Sequence, residues 1–521
     1  MVDRQREIER KYASDESGLP DLTGVAGVEA VIDKGVALLD ATYYDTADQR
    51  LAASSITLRR RTGGSDAGWH LKFPVAPGVR DELRAPLSDS LPDDLAGLVR
   101  SRVRGAELVP VVRLRSARDM SDLVDGEGRL LAEVSVDAVR AERLTGGDGE
   151  AQWTEIEVEL GDGIDPVFLD TVERRLRKAG VRPSASASKL ARALSETAPK
   201  ARKGTGKKST AKKSTAKKST AKSAPASRKP PVTAADHILT YLRAQRDAIV
   251  ELDPAVRQDV EDSVHSMRVA TRRMRGTFRS YGKVLDRAAT DPVGEELKWL
   301  AGELGVDRDR EVLTERLTAA LADVPDTLVS GPVGARLGRW ADENHGGSRG
   351  RLIGVLDSPR YLALLDTLDA LIADPPLREA AGKKPGKVIA EAVRKELGKV
   401  SWLVEEALES ASGSERDLAV HEARKRAKRA RYAAEAATLA LGSPAKSLAT
   451  SMKSLQTLLG DHQDSVMTRK TLCELSAVAH TAGESAFTYG LLYGREERRA
   501  AAVEAQLPGF WAGIRDGAAA L

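Results

Sequence analysis

The sequence predicts a multidomain α and β protein: a strand-built half ending near residue 199, an all-helical half beginning at residue 233, and a tether between them. Three observations point there. Period-two alternation broken by turn clusters runs through the first half. Ala-, Leu-, Arg- and Glu-rich stretches with few β-branched runs fill the second. An abrupt change of composition separates the two. At 521 residues the chain exceeds one ordinary core, so two or three domains are expected. Hydrophobic residues at 41% and charged residues at 30% fit globular domains and exclude collagen-like or wholly disordered chains, while an aromatic share of 4% argues against base-stacking modules.

In chain order the strand candidates are REIERKY, ATYYDTA, SITLRRRTG, GWHLKFP, VVRLRSAR, RLLAEVSVDAVRAE and WTEIEVEL, joined by clusters such as TGGSDAG, DGEG and TGGDGE. Side chains two apart share a face of a strand, so each candidate has one ionic face and one more apolar face. Glu7, Glu9 and Lys11 fall together, as do Arg59 with Arg61, His70 with Lys72, and Arg113 with Arg115. Glu155, Glu157 and Glu159 oppose Ile156, Val158 and Leu160, and Glu133 shares a face with Asp137.

For any one strand, a solvated ionic face is the simpler account. With acids on some strands and bases on others, a barrel closed with its ionic faces inward becomes attractive. Clustered carboxylates suit hard cations such as Mg²⁺ or Mn²⁺, and guanidinium and ammonium groups hold phosphate oxygens. Together they would grip a metal–polyphosphate chain from both sides. The crowded acids would need metal and lysine charge to stay ionised.

These residues resemble the CYTH domain of the triphosphate tunnel metalloenzymes. The hallmark E-x-E-x-K is Glu7-Ile8-Glu9-Arg10-Lys11. The likeness continues in order through YYDT at 43–46, LRRR at 58–61, WHLK at 69–72, Arg80 with Glu82, Arg113 with Arg115, EIEVEL at 155–160 and SKLARAL at 188–194, covering residues 1–199. The resemblance implies an eight-stranded antiparallel β tunnel that hydrolyses or cyclises triphosphates with metal help. It implies Glu7, Glu9 and Lys11 as catalytic residues. Metal would be held by Glu7, Glu9, Glu155 and Glu157, with Asp137 or Glu159, and phosphate by Lys11, Arg59, Arg61, Lys72, Arg113, Arg115 and Lys189. Lys11 would assist proton transfer or orient the phosphate chain. The metal would neutralise the terminal phosphate and lower the pKa of an attacking water.

The tether, residues 200–232, contains ARKGTGKKSTAKKSTAKKSTAKSAPASRKPP, built on a pentad AKKST repeat. It carries twelve Lys and Arg and no acid, whereas the whole chain has a formal charge of +4, so both flanks are slightly acidic. With almost nothing apolar to bury it is expected to be a disordered, solvated linker. The same charges permit non-specific contact with DNA or other phosphate polymers through counterion release.

The helical half, 233–521, contains an internal repeat, placed around 233–375 and 376–521. VHSMRVATRRMR at 264–275 aligns with VHEARKRAKRAR at 420–431, setting His265 on His421, Arg268 on Arg424, Arg272 on Lys428, Arg273 on Arg429 and Arg275 on Arg431. A Leu-Gly pair follows each, the glycine 40 residues after His265 and 39 after His421. Positions i, i+3, i+7 and i+10 lie along one helical stripe, so each copy presents a His-plus-basic face without apolar residues. Arg279 extends the first. Duplication of this unit favours anion binding; no second His or carboxylate shares the stripe to complete a metal site.

These features resemble the CHAD domain, the conserved histidine α-helical domain, over about 233–521. That resemblance implies a duplicated helical bundle binding inorganic polyphosphate through His265, Arg268, Arg272, Arg273, Arg275, Arg279, His421, Arg424, Lys428, Arg429 and Arg431. Such binding would be electrostatic and salt-sensitive.

The expected protein is a metal-dependent triphosphatase acting on inorganic triphosphate, polyphosphate or another triphosphate, tethered to a polyphosphate-binding module. A non-catalytic polyphosphate- or nucleotide-binding protein and an adenylyl cyclase are the alternatives. The single Cys473 excludes an internal disulfide and a cysteine zinc site. The opening MVDRQREIER lacks signal-peptide order, and no apolar run approaches the ~18–20 residues of a membrane span, so a cytoplasmic location is expected, with association with polyphosphate granules implied.

Overall fold

The computed structural model describes residues 3–14, 18–199, 231–305, 308–342 and 348–518. The chain divides into two compact units, Met1–Ala226 and Ser227–Leu521. Nearly all of the basic AKKST segment, residues 200–230, lies outside the described residues.

The first unit is built on β1 (Asp3–Ser14), β2 (Ala30–Asp45), β3 (Thr57–Thr62), β4 (Gly68–Ala76), β5 (Val79–Pro86), β6 (Val109–Val124), β7 (Leu130–Arg143) and β8 (Glu150–Leu160), with a short β9 (Arg182–Pro183) beside β1. Every pairing is antiparallel, in the order β5-β4-β3-β2-β6-β7-β8-β1. β1 also pairs with β5, from Asp3↔Arg84 to Ile8↔Val79, closing a ring of eight. Closure removes the free edges that an open sheet would leave unpaired.

The sequence marks β1, β3, β4, β7 and β8 by alternation but leaves β5 unmarked. The cause is charge on both of its faces. Arg80, Glu82 and Arg84 face the ring interior, while Asp81 bonds Arg4 and Arg6 on the opposite side. The first part of β2 is unmarked for another reason: Val36 and Leu38 are exposed apolar side chains, so no polar face offsets them.

The ring turns its apolar rows outward, where helices cover them. Ile156 and Val158 of β8 and Val134 of β7 pack under α3 (Val167–Lys178) through Phe168, Leu169, Val172 and Leu176. Leu58, Trp69, Leu71 and Leu83 pack under α2 (Asp93–Val103) through Leu95, Leu98 and Val99. A one-turn helix, α1 (Arg50–Ala53), and α4 (Lys189–Glu196) complete the unit. The large polar residues are thus left to fill the inside.

The second unit contains α5 (Ala234–Arg257), α6 (Ser263–Ser280), α7 (Arg287–Glu303), α8 (Arg308–Ala322), α9 (Val333–Asp342), α10 (Ser348–Asp357), α11 (Pro359–Ala373), α12 (Pro385–Glu409), α13 (Ser414–Leu441), α14 (Ser443–Thr481) and α15 (Phe487–Ala518). Local signals begin several of them. Thr233 and Asp236 form a reciprocal capping box on α5, and Ser358 caps α11 just before Pro359. The aligned basic segments lie on α6 and α13, which pack together in the main core. A Cβ on Gly276 would stand 3.2 Å from the Tyr432 ring, so glycine permits this approach. The repeat is not exact in its helices: α14 runs unbroken past Gly460, whereas α7 ends just before Gly305 and α8 follows. Among the described residues no helix is long and apolar enough to cross a membrane.

Candidate active site and basic groove

Within the ring, one end is filled by apolar side chains. Leu190 and Ala193 of α4 join Tyr43, Leu114, Val139 and Trp153 there. Ser188 caps α4 by accepting from the Ala191 amide, and the first residue of the helix, Lys189, enters the ring. What remains is a cavity of about 340 Å³, lined by Glu7, Glu9, Lys11, Arg59, Arg61, Lys72, Arg80, Glu82, Arg84, Arg118, Glu133, Glu157, Glu159 and Lys189.

Strand register sorts the acids. Glu159 stands directly opposite both Glu9 and Glu133, which places three carboxylates in one row across β1, β8 and β7. Like charges so placed repel. The neighbouring rows pair Lys11 with Glu157, and Glu155 with Asp137. Oxygens of Asp137, Glu155 and Glu157 lie within 4.8 Å of one another. Lys189 Nζ already stands among them, 2.9 Å from Asp137, 2.8 Å from Glu155 and 2.6 Å from Glu157. Arg118 clasps Asp137 with two 2.8 Å bonds and Glu157 with one of 2.7 Å.

Burial alone would raise the pKa of these acids, but the cations reverse it. Lys189 and Arg118 hold Asp137 below the carboxylate range, and Lys11 joins them in holding Glu157 far below it. Lys11 bonds Glu9 at 2.7 Å and also Glu157; burial opposes its charge, yet the two acids raise its pKa and keep it an ammonium. Glu159, in the middle of the outer row, lacks this compensation. Glu159 makes no ion pair among the described residues, and burial, then repulsion from Glu7, Glu9 and Glu133, pushes its pKa up to about 7. Glu7 is also raised, because burial outweighs Lys72 at 2.5 Å and Glu82 adds repulsion.

The other wall is basic. Arg59 donates to the Tyr43 hydroxyl at 3.3 Å and lies 3.7 Å from Glu82. Arg61, 4% exposed, pairs with Asp66, yet burial and repulsion from Arg59 and Arg118 push its guanidinium down to about 9. His70 sits behind, its ring nitrogens 2.9 Å from Glu82 and from the Asp66 carbonyl.

Two expected phosphate ligands are not in the cavity. Arg113 and Arg115 point outward and engage Asp40 at 2.6 Å and 3.6 Å. They do share a face, but it is the outer one, because Leu114 between them belongs to the apolar filling of the ring. Counting by two from Leu114 leads instead to Arg118, which sequence reasoning passed over together with Arg84. Asp137 and Glu155 face inward but lie beneath Lys189, away from the open cavity.

In the second unit, a groove of about 1090 Å³ is lined by His265, Arg268, Arg272, Arg273, Arg424, Lys428 and Arg431, joined by Lys453 of α14. Arg273 and Arg431 share Glu435, at 2.8 Å and 2.7 Å. His421 does not line the groove; its Nδ1 lies 2.6 Å from Gln463 Oε1. Arg275 approaches Glu295 at 3.7 Å, and Arg279 and Arg429 line a separate cavity.

The repeated glycines now have a physical reason. A Cβ on Gly305 would come 2.4–2.7 Å from the Arg268 guanidinium, and one on Gly460 would come 3.2 Å from Arg424 Nη2. Each glycine lets an arginine of the stripe lie flat against the helix end or helix that follows it. Gly305→Ala is therefore expected to displace a flexible side-chain tip, changing the free energy of unfolding by under about 1 kcal/mol in denaturant melts. A loss of several kcal/mol would show that Arg268 cannot move aside.

Elsewhere, Asp417, His462 and Glu504 lie close together, but Arg469 and Arg416 already balance the two carboxylates.

A family model described as "CYTH domain" matches residues 5–193, and one described as "CHAD domain" matches residues 240–473. An uncharacterized protein of Mycobacterium tuberculosis (strain CDC 1551 / Oshkosh) is 37% identical over 509 residues, covering 95% of this chain and 93% of its own. Among solved structures, PptA from Streptomyces chartreusis is similar at 20% identity and TM-score 0.47, covering 54% of this chain and 99% of that one. The CHAD domain from the plant Ricinus communis is similar at 21% identity and TM-score 0.42, with 55% and 93% covered.

Proposed function

The chain belongs to the family in which a CYTH domain is followed by a CHAD domain, and from that premise we propose that its ring hydrolyses inorganic triphosphate or polyphosphate with Mg²⁺ or Mn²⁺ while its helical half binds polyphosphate. CYTH domains are mostly metal-dependent triphosphatases or cyclases. The observation that carries the reading is a pair of opposite charge deficits in one cavity. Glu159 has no ion pair of its own beside Glu7, Glu9 and Glu133, and buried Arg61 has its charge disfavoured by Arg59 and Arg118 despite its pair with Asp66. A metal-bound phosphate chain supplies both.

The donor set fits such a metal. Glu7, Glu9, Glu133 and Glu159 offer only carboxylate oxygens, the ligands hard divalent cations prefer. Asp137, Glu155 and Glu157 are expected to act at one remove, since Lys189 occupies their centre. Bound there, the cation would neutralise terminal phosphate charge and lower the pKa of a water. Arg59, Arg61, Lys72 and Arg118 would bind and straighten the phosphates. Lys11, kept an ammonium, would orient the chain rather than accept a proton. Hydrolysis then breaks the bridging P–O bond as the water oxygen joins the terminal phosphorus, the freed oxygen staying on the penultimate phosphate, one water proton staying on the released orthophosphate and the other passing to solvent.

The test is orthophosphate release from inorganic triphosphate by the full chain with Mg²⁺, with Mn²⁺ and with chelator. Glu7→Gln is expected to lower the metal-dependent rate by about a hundredfold or more. Triphosphate bound without turnover would replace hydrolysis with capture, and pyrophosphate release from ATP would replace it with cyclisation.

A further inference from the structure

The rim of the ring holds a charge pair that the proposed chemistry does not use. The turn from β3 to β4, residues 63–67, starts with Gly63 at φ 80° and Gly64 at φ 73°, both in the left-handed region that favours glycine. A Cβ on Gly63 would collide with the Leu38 carbonyl oxygen. The turn is thus pressed against the backbone of β2 and folds back over the cavity, where Gly64, Ser65 and Asp66 join the lining.

Asp66 is tied down at its backbone and free at its tip. Its carbonyl oxygen lies 2.9 Å from His70 Nε2, and the other ring nitrogen of His70 lies 2.9 Å from Glu82. Its carboxylate pairs with Arg61, yet the Asp66 side chain is 31% exposed, whereas that of Arg61 is 5% exposed. Rotation about χ1 can return the carboxylate to water without moving the turn. Asp66 is the only ion-pair partner of Arg61 among the described residues, and it leaves Arg61 Nε, like Arg59 Nε, buried without a hydrogen-bond partner among them. Arg59 and Arg118 add repulsion. Neighbouring guanidiniums with spare donors facing one cavity suit a phosphate group better than a single carboxylate, because phosphate brings more charge and more acceptor oxygens.

We infer that Asp66 is an internal stand-in for substrate: its carboxylate holds Arg61 before substrate binds, gives way when a phosphate of the incoming chain takes that guanidinium, and so sets how tightly the ring binds triphosphate. The inference rests on the triphosphatase reading of the ring. Asp66 acts through Arg61, as a positioning residue. The pair gives a buried guanidinium an anion, and it also places a competitor in the path of substrate. Apparent affinity is lowered in proportion to the fraction of rings in which Arg61 stands free of Asp66. The effect falls on KM, because bond breaking follows the departure of the carboxylate.

Metal-dependent orthophosphate release from inorganic triphosphate by the full chain tests this. Asp66→Asn keeps the size of the side chain and the backbone carbonyl that faces His70, and removes the charge. It is expected to lower KM about fivefold, the worth of a partly exposed ion pair, with the change in KM rather than in kcat. Asp66→Glu restores the charge and should return KM toward the wild-type value. In an Arg61→Gln background, Asp66→Asn should leave KM where Arg61→Gln set it. A KM unchanged or raised by Asp66→Asn overturns the inference. An equal fall in the Arg61→Gln background does so too, since it would make Asp66 a general repeller of anions at the rim and not a competitor for Arg61. A wild-type chain with no metal-dependent release fails earlier, on the reading of the ring itself.

Discussion

Lys189→Met is expected to destabilise the N-terminal unit by about 3–5 kcal/mol, because it strips the central cation from three buried carboxylates. Asp137, Glu155 and Glu157 are at most 8% exposed, and Lys189 Nζ lies within 2.9 Å of all three. Without it, Asp137 keeps Arg118 and Glu157 keeps Arg118 and Lys11, but Glu155 is left with Arg192 at 4.0 Å and a 2.7 Å bond from the Trp153 indole. For a unit of this size the loss corresponds to a fall in Tm of roughly 10 °C, read from the first transition in thermal unfolding of the full chain. Lys189→Arg keeps the charge and should lose less.

The same variant separates two meanings of the acid cluster. With its ammonium gone, the cluster becomes three oxygen donors around a vacant centre, the set a hard cation fills. Mn²⁺ should restore part of the lost stability and chelator should remove it again, an effect absent from the wild-type protein at this position. Stability unchanged by Lys189→Met would mean that Lys189 is not needed there. The wild-type contribution also has a defined pH window. Asp137 and Glu157 have depressed pKa values, so their stabilisation is present above the ordinary carboxylate range and is lost as pH falls below it.

Much of this arrangement was legible in the sequence wherever alternation was clean. Glu7, Glu9 and Lys11, or Glu155, Glu157 and Glu159, need only the two-residue period to be placed on one face. What alternation does not reveal is which face turns inward, and Arg113 with Arg115 shows the consequence. That choice is made by long-range packing: Leu114 joins Tyr43, Val139 and Leu190, residues distant in sequence. The division of the acids was hidden for the same reason. Nothing local distinguishes Glu157 from Glu159 until α4 returns to place Lys189 beside one and not the other. In the helical half, the period of 3.6 aligned the stripe correctly for Arg268, Arg272, Arg424 and Lys428. Arg429 entered through the repeat alignment and not through the stripe, and it lines a second cavity, whereas its counterpart Arg273 lines the groove.

The outer acid row makes the sharpest pH prediction. Glu159 has its pKa raised from about 4.5 to about 7. Between those values the folded chain keeps a proton that the unfolded chain has released. By linkage, the contribution of Glu159 to metal-free stability falls as pH rises from about 4.5 to 7, while buried His70, its pKa pushed down to about 4, contributes a rise over nearly the same range, so the slope of Glu159 is read as the difference between the wild type and Glu159→Gln. A shift of this size corresponds to about 3 kcal/mol. The neighbouring groups allow no easy relief, since Glu7, Glu9 and Glu133 add repulsion that Lys72 opposes only in part. A divalent cation in the row reverses the trend, because it binds the ionised carboxylate. Its binding below pH 7 should therefore release close to one proton per site, measurable by calorimetry in buffers of different ionisation enthalpy. Glu159→Gln should remove this falling contribution and the proton release, leaving the rise due to His70, while keeping the low-pH stability near that of the wild type. A stability difference between the wild type and Glu159→Gln that stays constant from pH 5 to 7, or proton release that survives Glu159→Gln, would show that the uncompensated charge resides elsewhere in the ring.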